Sequence, residues 1–268
     1  MIGLFFGDTK FPKLILKNIK KKRKSYFIID LSKNNSFKND PNSYRISIGQ
    51  FGKILKLIRQ KRCKKVIFAG KINKPKFSNL KLDITGIYYM PRIIKAAKKG
   101  DAAILKELIK ILSLEKIKVI SSVYFNPELS LTKGNYSKFK PNKYDLIDIK
   151  KGIKILNNSN SYDHVQAVIV RNTVVTKETS TGTKKLIQKI KKVKNNSGVL
   201  IKFPKKKQDL KADLPTIGFN TFKDCKRVGL RGIVLKDKHN IFLEKKACIN
   251  FANKNKMFIT VKWKKYSY

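Results

Sequence analysis

Acidic residues are scarce in this chain. Its 268 residues include 17 Asp and Glu against 63 Lys and Arg, a formal net charge of +46. Cysteine is also sparse. Cys63, Cys225 and Cys248 stand far apart and none forms a C-x-x-C pair, which argues against a disulfide scaffold or a zinc knuckle and fits a reducing cytosol. His164 and His239 are the two histidines, too few for zinc hydrolases built on several imidazoles. No apolar run approaches the ~20 residues that span a bilayer. The opening Met1–Asp8 has no basic flank and its apolar run stops at Asp8, so it does not read as a signal peptide. A G-x-S-x-G elbow and a P-loop are missing, and Gly7-Asp8-Thr9-Lys10 is not a dinucleotide fingerprint. The expectation is a soluble cytoplasmic protein, or one resting peripherally on the inner face of the cytoplasmic membrane.

What is present is an apolar fraction of 41%, enough for real cores. The positive charge admits two readings. One is a polyanion partner, either nucleic acid or an anionic membrane surface. The other is compositional bias, because the excess is mostly Lys, spread evenly, in a chain also rich in Asn and Ile. In either case, two carboxylates standing close together are conspicuous against this background.

Apolar runs and helical spacings alternate along the chain. Short strands are expected at Ile2–Phe6, Tyr26–Leu31, Val66–Ala69 and Lys118–Ser122. Helices are expected from Pro12 to Lys22, Phe51 to Arg62, Pro91 to Lys98 and Asp101 to Leu114. Thr132–Asn142 is rich in Gly, Asn, Ser, Lys and Pro and reads as a linker. Beyond it, a helix over Tyr144–Asn157 precedes paired strands around Asn172. A helix over Thr183–Lys194, a strand over Val199–Phe203 and further alternating elements follow. The pattern predicts two α/β domains with mostly parallel sheets, residues 1–131 and 143–268, joined by the linker 132–142.

The most informative segment is Lys202 to Gly218, which places Asp209 and Asp213 in a loop thick with lysines. Carboxylate oxygens suit Mg²⁺, which keeps water and phosphate oxygens as its other ligands. Nearby lysines such as Lys202 and Lys205 can neutralise a pyrophosphate. The four-residue spacing puts the two carboxylates one turn (~5.4 Å) apart on a helix but ~13 Å apart on a strand, so one shared ion requires a helical or looped backbone. Asp209 as a simple turn cap is the alternative. A second segment, Glu178 to Thr183, leaves a strand and opens a helix. It suits phosphate binding through Gly182 and Thr183, or plain N-capping by Thr181 or Thr183. A third, Phe68 to Pro75, follows a strand and offers Lys71 and Lys74 as phosphate contacts, or else forms a solvated basic loop.

Gln208-Asp209-Leu210-Lys211-Ala212-Asp213-Leu214-Pro215-Thr216-Ile217-Gly218 resembles the Q-D-L-R-V-D-L-P-T-I-G motif of the LpxI family, the UDP-2,3-diacylglucosamine pyrophosphatases of lipid A biosynthesis. Phe68-Ala69-Gly70-Lys71 with Pro75, Lys99-Gly100-Asp101, Asp163 with Gln166-Ala167-Val168, Glu178 with Gly182-Thr183, and Gly229-Leu230-Arg231-Gly232-Ile233 continue the likeness in order along the chain. The resemblance implies two domains with a ligand cleft between them. It also implies Mg²⁺-assisted hydrolysis (Mn²⁺ serving as well) of UDP-2,3-diacylglucosamine to UMP and 2,3-diacylglucosamine 1-phosphate. Asp213 falls on the family's essential aspartate; it is expected either to hold the metal, with Asp209 as candidate second carboxylate, or to act as general base. Lys71, Asp101, Gln166, Glu178, Gly182, Thr183, Lys202, Lys205 and Gln208 are the candidate substrate contacts. The acyl chains require an apolar groove, with Ile87, Tyr88, Tyr89 and Met90 as candidates. Two departures stand out. Gly7-Asp8-Thr9 replaces a glycine-rich turn, and Thr181-Gly182-Thr183-Lys184 replaces E-G-T-D. The alternatives are a basic nucleic-acid-binding protein and a catalytically weakened homologue that binds the lipid product.

Overall fold

Ile2–Phe6 (β1) is buried along its whole length, as the run I-G-L-F-F predicts for a central strand covered on both faces. This computed structural model describes residues 1–72, 77–158, 165–205 and 209–262. The chain divides into two compact units, Met1–Asn126 with Lys211–Asp213, and Pro127–Leu210 with Leu214–Tyr268.

In the first unit β1 is followed by α1 (Phe11–Lys21), β2 (Tyr26–Asp30), β3 (Ser43–Tyr44), α2 (Phe51–Gln60), β4 (Lys65–Ala69), α3 (Ile84–Ala97), α4 (Asp101–Leu114) and β5 (Lys118–Val119). The strands form one sheet in the order β3-β2-β1-β4-β5, with every pairing parallel. Phe51, Ile54, Leu55 and Ile58 recur at helical spacing and bury one face of α2. They pack with Phe5, Phe27, Ile29, Val66 and Leu112 into one core, each fully buried large side chain stabilising the fold by ~1.5–3 kcal/mol.

One helix starts earlier than the sequence suggests. Pro91 was expected in a first turn but lies inside α3. The start is set by Asp83, whose carboxylate accepts from the Gly86 amide at 2.8 Å. The same carboxylate accepts from the amides of Gly52 (3.1 Å) and Lys53 (3.0 Å), so it caps α2 and α3 together. Burial pushes the Asp83 carboxyl up, but these three N–H donors outweigh it and hold the pKa below its ordinary value. A depressed folded-state pKa stabilises the fold above the unfolded value of 3.8, and that contribution is lost as pH falls through the lower folded value. Asp83→Ala should therefore cost about 1–2 kcal/mol in urea unfolding at neutral pH. The gap from wild type should close on acidification below pH 3.8. A gap independent of pH would show that the charge contributes nothing.

The second unit contains β6 (Gly134–Asn135), α5 (Lys143–Asn158), β7 (Ala167–Arg171), β8 (Val174–Lys177), α6 (Gly182–Gln188), β9 (Val199–Lys202), β10 (Thr216–Ile217), α7 (Phe219–Arg227), β11 (Gly232–Lys236), β12 (Ile241–Phe242), α8 (Lys245–Lys254) and β13 (Phe258–Lys262). Its main sheet runs β6-β13-β11-β9-β7-β8, and β10 pairs with β12 in a separate two-stranded ladder. Strands β9, β11 and β13 are parallel, whereas β6, β7 and β8 add antiparallel pairings. The reason is local. Asn172 and Thr173 both take positive φ (49° and 66°), the geometry of a tight two-residue hairpin turn between β7 and β8. Asp148 of α5 accepts both turn amides, at 3.1 and 2.8 Å, and pins the hairpin to the helix. Helix α6 ends at Gln188, six residues before the end its apolar spacing suggested, and the Lys191 carbonyl beyond it accepts from Arg171 Nη1.

Asn142 and Asp145 cap α5 reciprocally, each side chain accepting from the other's amide at 2.9 Å. Asp145 is buried and also bonds Arg231 Nε at 2.7 Å, which fixes the start of α5 to the chain just before β11. Cys63, Cys225 and Cys248 are free and buried. Burial pushes their thiols up, Cys248 to about 12, so they remain protonated and unreactive in the folded chain. Among the described residues, no helix is long and apolar enough to cross a membrane.

Candidate active site

In an open parallel sheet, ligands bind outside the carboxyl ends of the strands, and most often where the strand order reverses. In the first unit that point lies between β1 and β4. The chain leaving β1 at Gly7-Asp8 and the chain leaving β4 at Gly70-Lys71 are joined by a backbone bridge from Asp8 to Lys71. The Asp8 amide donates to the Lys71 carbonyl at 2.8 Å and the Lys71 amide to the Asp8 carbonyl at 2.9 Å. Both glycines are dictated by this approach. A Cβ on Gly7 would stand 2.4 Å from the Lys71 carbonyl oxygen, and one on Gly70 2.5 Å from that of Asp8. Gly70 also holds φ at +88°, a conformation other residues rarely adopt. Lys71 is thus an exposed ammonium at the switch point. Asp101 lies exposed in the first turn of α4, behind Gly100 as N-cap.

The second unit collects more of the expected residues at the carboxyl end of β9. Because β7 runs antiparallel to β9, the start of β7 and the end of β8 fall at that same edge, with Ala167 opposite Lys202 and Val168 opposite Lys177. Glu178 is buried there. Its Oε2 accepts from the Gln166 amide at 2.8 Å and its Oε1 from the Thr183 hydroxyl at 2.7 Å. The retained acid therefore ties the start of β7 to the first turn of α6. Gly182, at φ +87° with open space around it, makes the entry into that turn. Thr181 is the N-cap, but its hydroxyl shares a hydrogen bond with Thr179 rather than capping the helix. Gln166, Glu178, Gly182 and Thr183, scattered in sequence, form one cluster.

The loop after β9 carries the two aspartates and is anchored at both ends. Lys202, nearly buried at the end of β9, donates from Nζ to the Thr216 carbonyl at 3.1 Å. Asn240, buried just before β12, donates from Nδ2 to the Lys202 carbonyl (3.0 Å) and to the Pro215 carbonyl (3.5 Å). Its Oδ1 accepts from the Lys236 amide at 2.8 Å. Thr216 Oγ1 donates to the Leu214 carbonyl at 3.2 Å, and Leu214 and Pro215 are buried. Between these anchors Leu210–Ala212 forms a turn, with Asp209 and Asp213 on either side, both half-buried. Lys205 is half-buried ahead of them. Lys74, Pro75, Asp163 and Gln208 lie outside the described residues.

Asn240 went unnoticed in the sequence, where it reads as a turn residue between two strands. A buried Asn following His239 at a strand junction carries no motif, and only the fold shows that it closes the aspartate loop. Among the described residues, no group of three or more His, Cys, Asp and Glu side chains is placed to hold a metal. Mg²⁺ needs less, since one or two carboxylates suffice when phosphate oxygens complete its shell. Asp209 and Asp213 are each of the residue type this requires.

Two α/β units, the first a five-stranded parallel sheet with an exposed lysine at its switch point, define the class of protein by fold. The model of the LpxI N-terminal domain matches residues 1–129, and that of the LpxI C-terminal domain residues 132–260. A relative, the UDP-2,3-diacylglucosamine pyrophosphatase LpxI of Caulobacter vibrioides, is 31% identical over 223 residues, covering 80% of each chain. The chain belongs to the LpxI family, as the D-L-P-T-I-G segment indicated.

Proposed function

We propose that this chain hydrolyses the pyrophosphate bond of UDP-2,3-diacylglucosamine, releasing UMP and 2,3-diacylglucosamine 1-phosphate in lipid A biosynthesis. The observation that carries this reading is the likeness to a relative bearing that activity in its name across 80% of both chains. The intact aspartate loop supports it further. Asp213, with Asp209, would hold Mg²⁺ or Mn²⁺. Such an ion, when bound, stabilises charge on phosphate oxygens and lowers the pKa of water. The chain's own residues do the rest. Asp213 accepts hydrogen bonds or a proton at its carboxylate. Lys205 supplies positive charge for a diphosphate, and Lys202 and Asn240 position the loop. One water is consumed, one P–O bond breaks and one forms, and two monophosphates leave.

Glu178 remains where two other family acids are replaced by Thr181 and Lys184, and its two bonded oxygens give it a positioning role at the α6 entry. The test is UMP release from UDP-2,3-diacylglucosamine dispersed in detergent, with Mg²⁺, with Mn²⁺ and with chelator. Release that depends on added metal is expected. A folded chain that binds the lipid product yet releases no UMP would overturn the reading.

A further inference from the structure

Helix α3 has two unlike faces. Gly86 and Tyr89 are buried, with Tyr89 edge-on to Phe51 at 5.7 Å between ring centroids. The opposite face should be polar in a helix whose outer side meets only water, but it is not. Ile84 is 87% exposed, Ile87 61%, Tyr88 72% and Ile94 39%, and Pro91 between them is exposed as well. These five positions follow the i, i+3, i+4, i+7, i+10 spacing of a single stripe. Of the four residues expected to line an acyl groove, Tyr89 faces the core, whereas Ile87 and Tyr88 stand on this open face.

Cations bracket the stripe. Lys81 precedes it, and Lys95, Lys98 and Lys99 follow, all exposed. Of the nearby acids, Asp83 is engaged by three amides and Glu107 by Arg92 at 2.6 Å, and Asp101 is exposed at the start of α4. An apolar stripe with lysines at both ends is the pattern of a helix lying in the headgroup plane of an anionic bilayer. A second copy of the chain fits poorly. The stripe is about 15 Å long and about 10 Å wide, on the order of 150 Å², far below the ~800 Å² that each member of a stable pair buries. Two chains of net charge +46 would also bring like charges together.

We propose that the outer face of α3, formed by Ile84, Ile87, Tyr88, Pro91 and Ile94 between lysines, docks the protein onto anionic lipid surfaces. This goes beyond the proposed reaction and is tested without turnover. The full chain is sedimented with vesicles of phosphatidylcholine alone and of phosphatidylcholine with phosphatidylglycerol. Binding to the anionic vesicles is expected, weaker by about tenfold or more for Ile84→Ser/Ile87→Ser/Tyr88→Ser, which leaves charge unchanged. Val174→Ser, at another exposed apolar position on β8, should bind like wild type. In a Tyr88→Trp chain, emission should shift to the blue on adding anionic vesicles.

Three results would overturn the proposal: no binding to anionic vesicles, a triple variant that partitions like wild type, or no emission shift. Sedimentation equilibrium showing a dimer that the triple variant dissociates would instead assign the face to a second copy. Wild-type UMP release in detergent reports separately. A chain that binds vesicles but turns nothing over sinks the reaction and leaves the surface, and the reverse result sinks the surface alone.

Discussion

Asp213→Ala is expected to lower UMP release by on the order of 10²–10³-fold, the scale of losing one preorganised charge at a reacting phosphate. Asp213 is half-buried and follows a turn, so its removal opens no core cavity. The anchors on either side remain, with Lys202 on the Thr216 carbonyl and Asn240 on the carbonyls of Lys202 and Pro215. Asp213→Asn keeps the volume and removes the charge. It should fall with the alanine variant if charge is what matters, and near wild type if shape alone is. Steady-state rates with a matched unfolding curve decide between these.

Asn240→Ala is expected to damage both stability and activity. Asn240 is almost fully buried and serves three backbone groups, donating to the Lys202 and Pro215 carbonyls and accepting from the Lys236 amide. Truncation removes the bonds to the Lys202 carbonyl and the Lys236 amide from a buried site, while the Pro215 carbonyl keeps the Ile241 amide at 3.0 Å, a loss of about 1–3 kcal/mol. It also loosens the aspartate loop, which keeps the bonds of Lys202 to Thr216 and of Ile241 to Pro215, so turnover should drop about tenfold or more even where the fold survives. Urea unfolding gives the first quantity, and kcat measured well below the unfolding midpoint gives the second. Wild-type kcat in a destabilised protein would confine Asn240 to folding.

The two predictions separate what the sequence displays from what it hides. Asp213 stands out in the sequence because acids are rare here and because the motif around it is specific. The strands of the first unit were legible because I-G-L-F-F, Y-F-I-I-D and V-I-F-A are short apolar runs, which central parallel strands require. Helix α3 was misread at its start because Pro91 satisfies the rule for a first turn. The actual cap, Asp83, works through tertiary bonds to Gly52 and Lys53 that local spacing does not reveal. The hairpin at Asn172-Thr173 was legible as paired strands, yet its antiparallel docking against β9 depends on partners distant in sequence. Lys202 looked like one lysine among several in a basic loop. Its burial and its bond to Thr216 set it apart, and burial is a property of the fold.

Hydrolysis of the diphosphate under control of the Asp213 carboxylate is read by phosphorus NMR of UDP-2,3-diacylglucosamine incubated with the wild-type chain and Mg²⁺. The diphosphate resonances should give way to two monophosphate resonances of equal area, and should persist with Asp213→Ala. Persistence with the wild-type chain, or equal conversion by both proteins, would contradict the account.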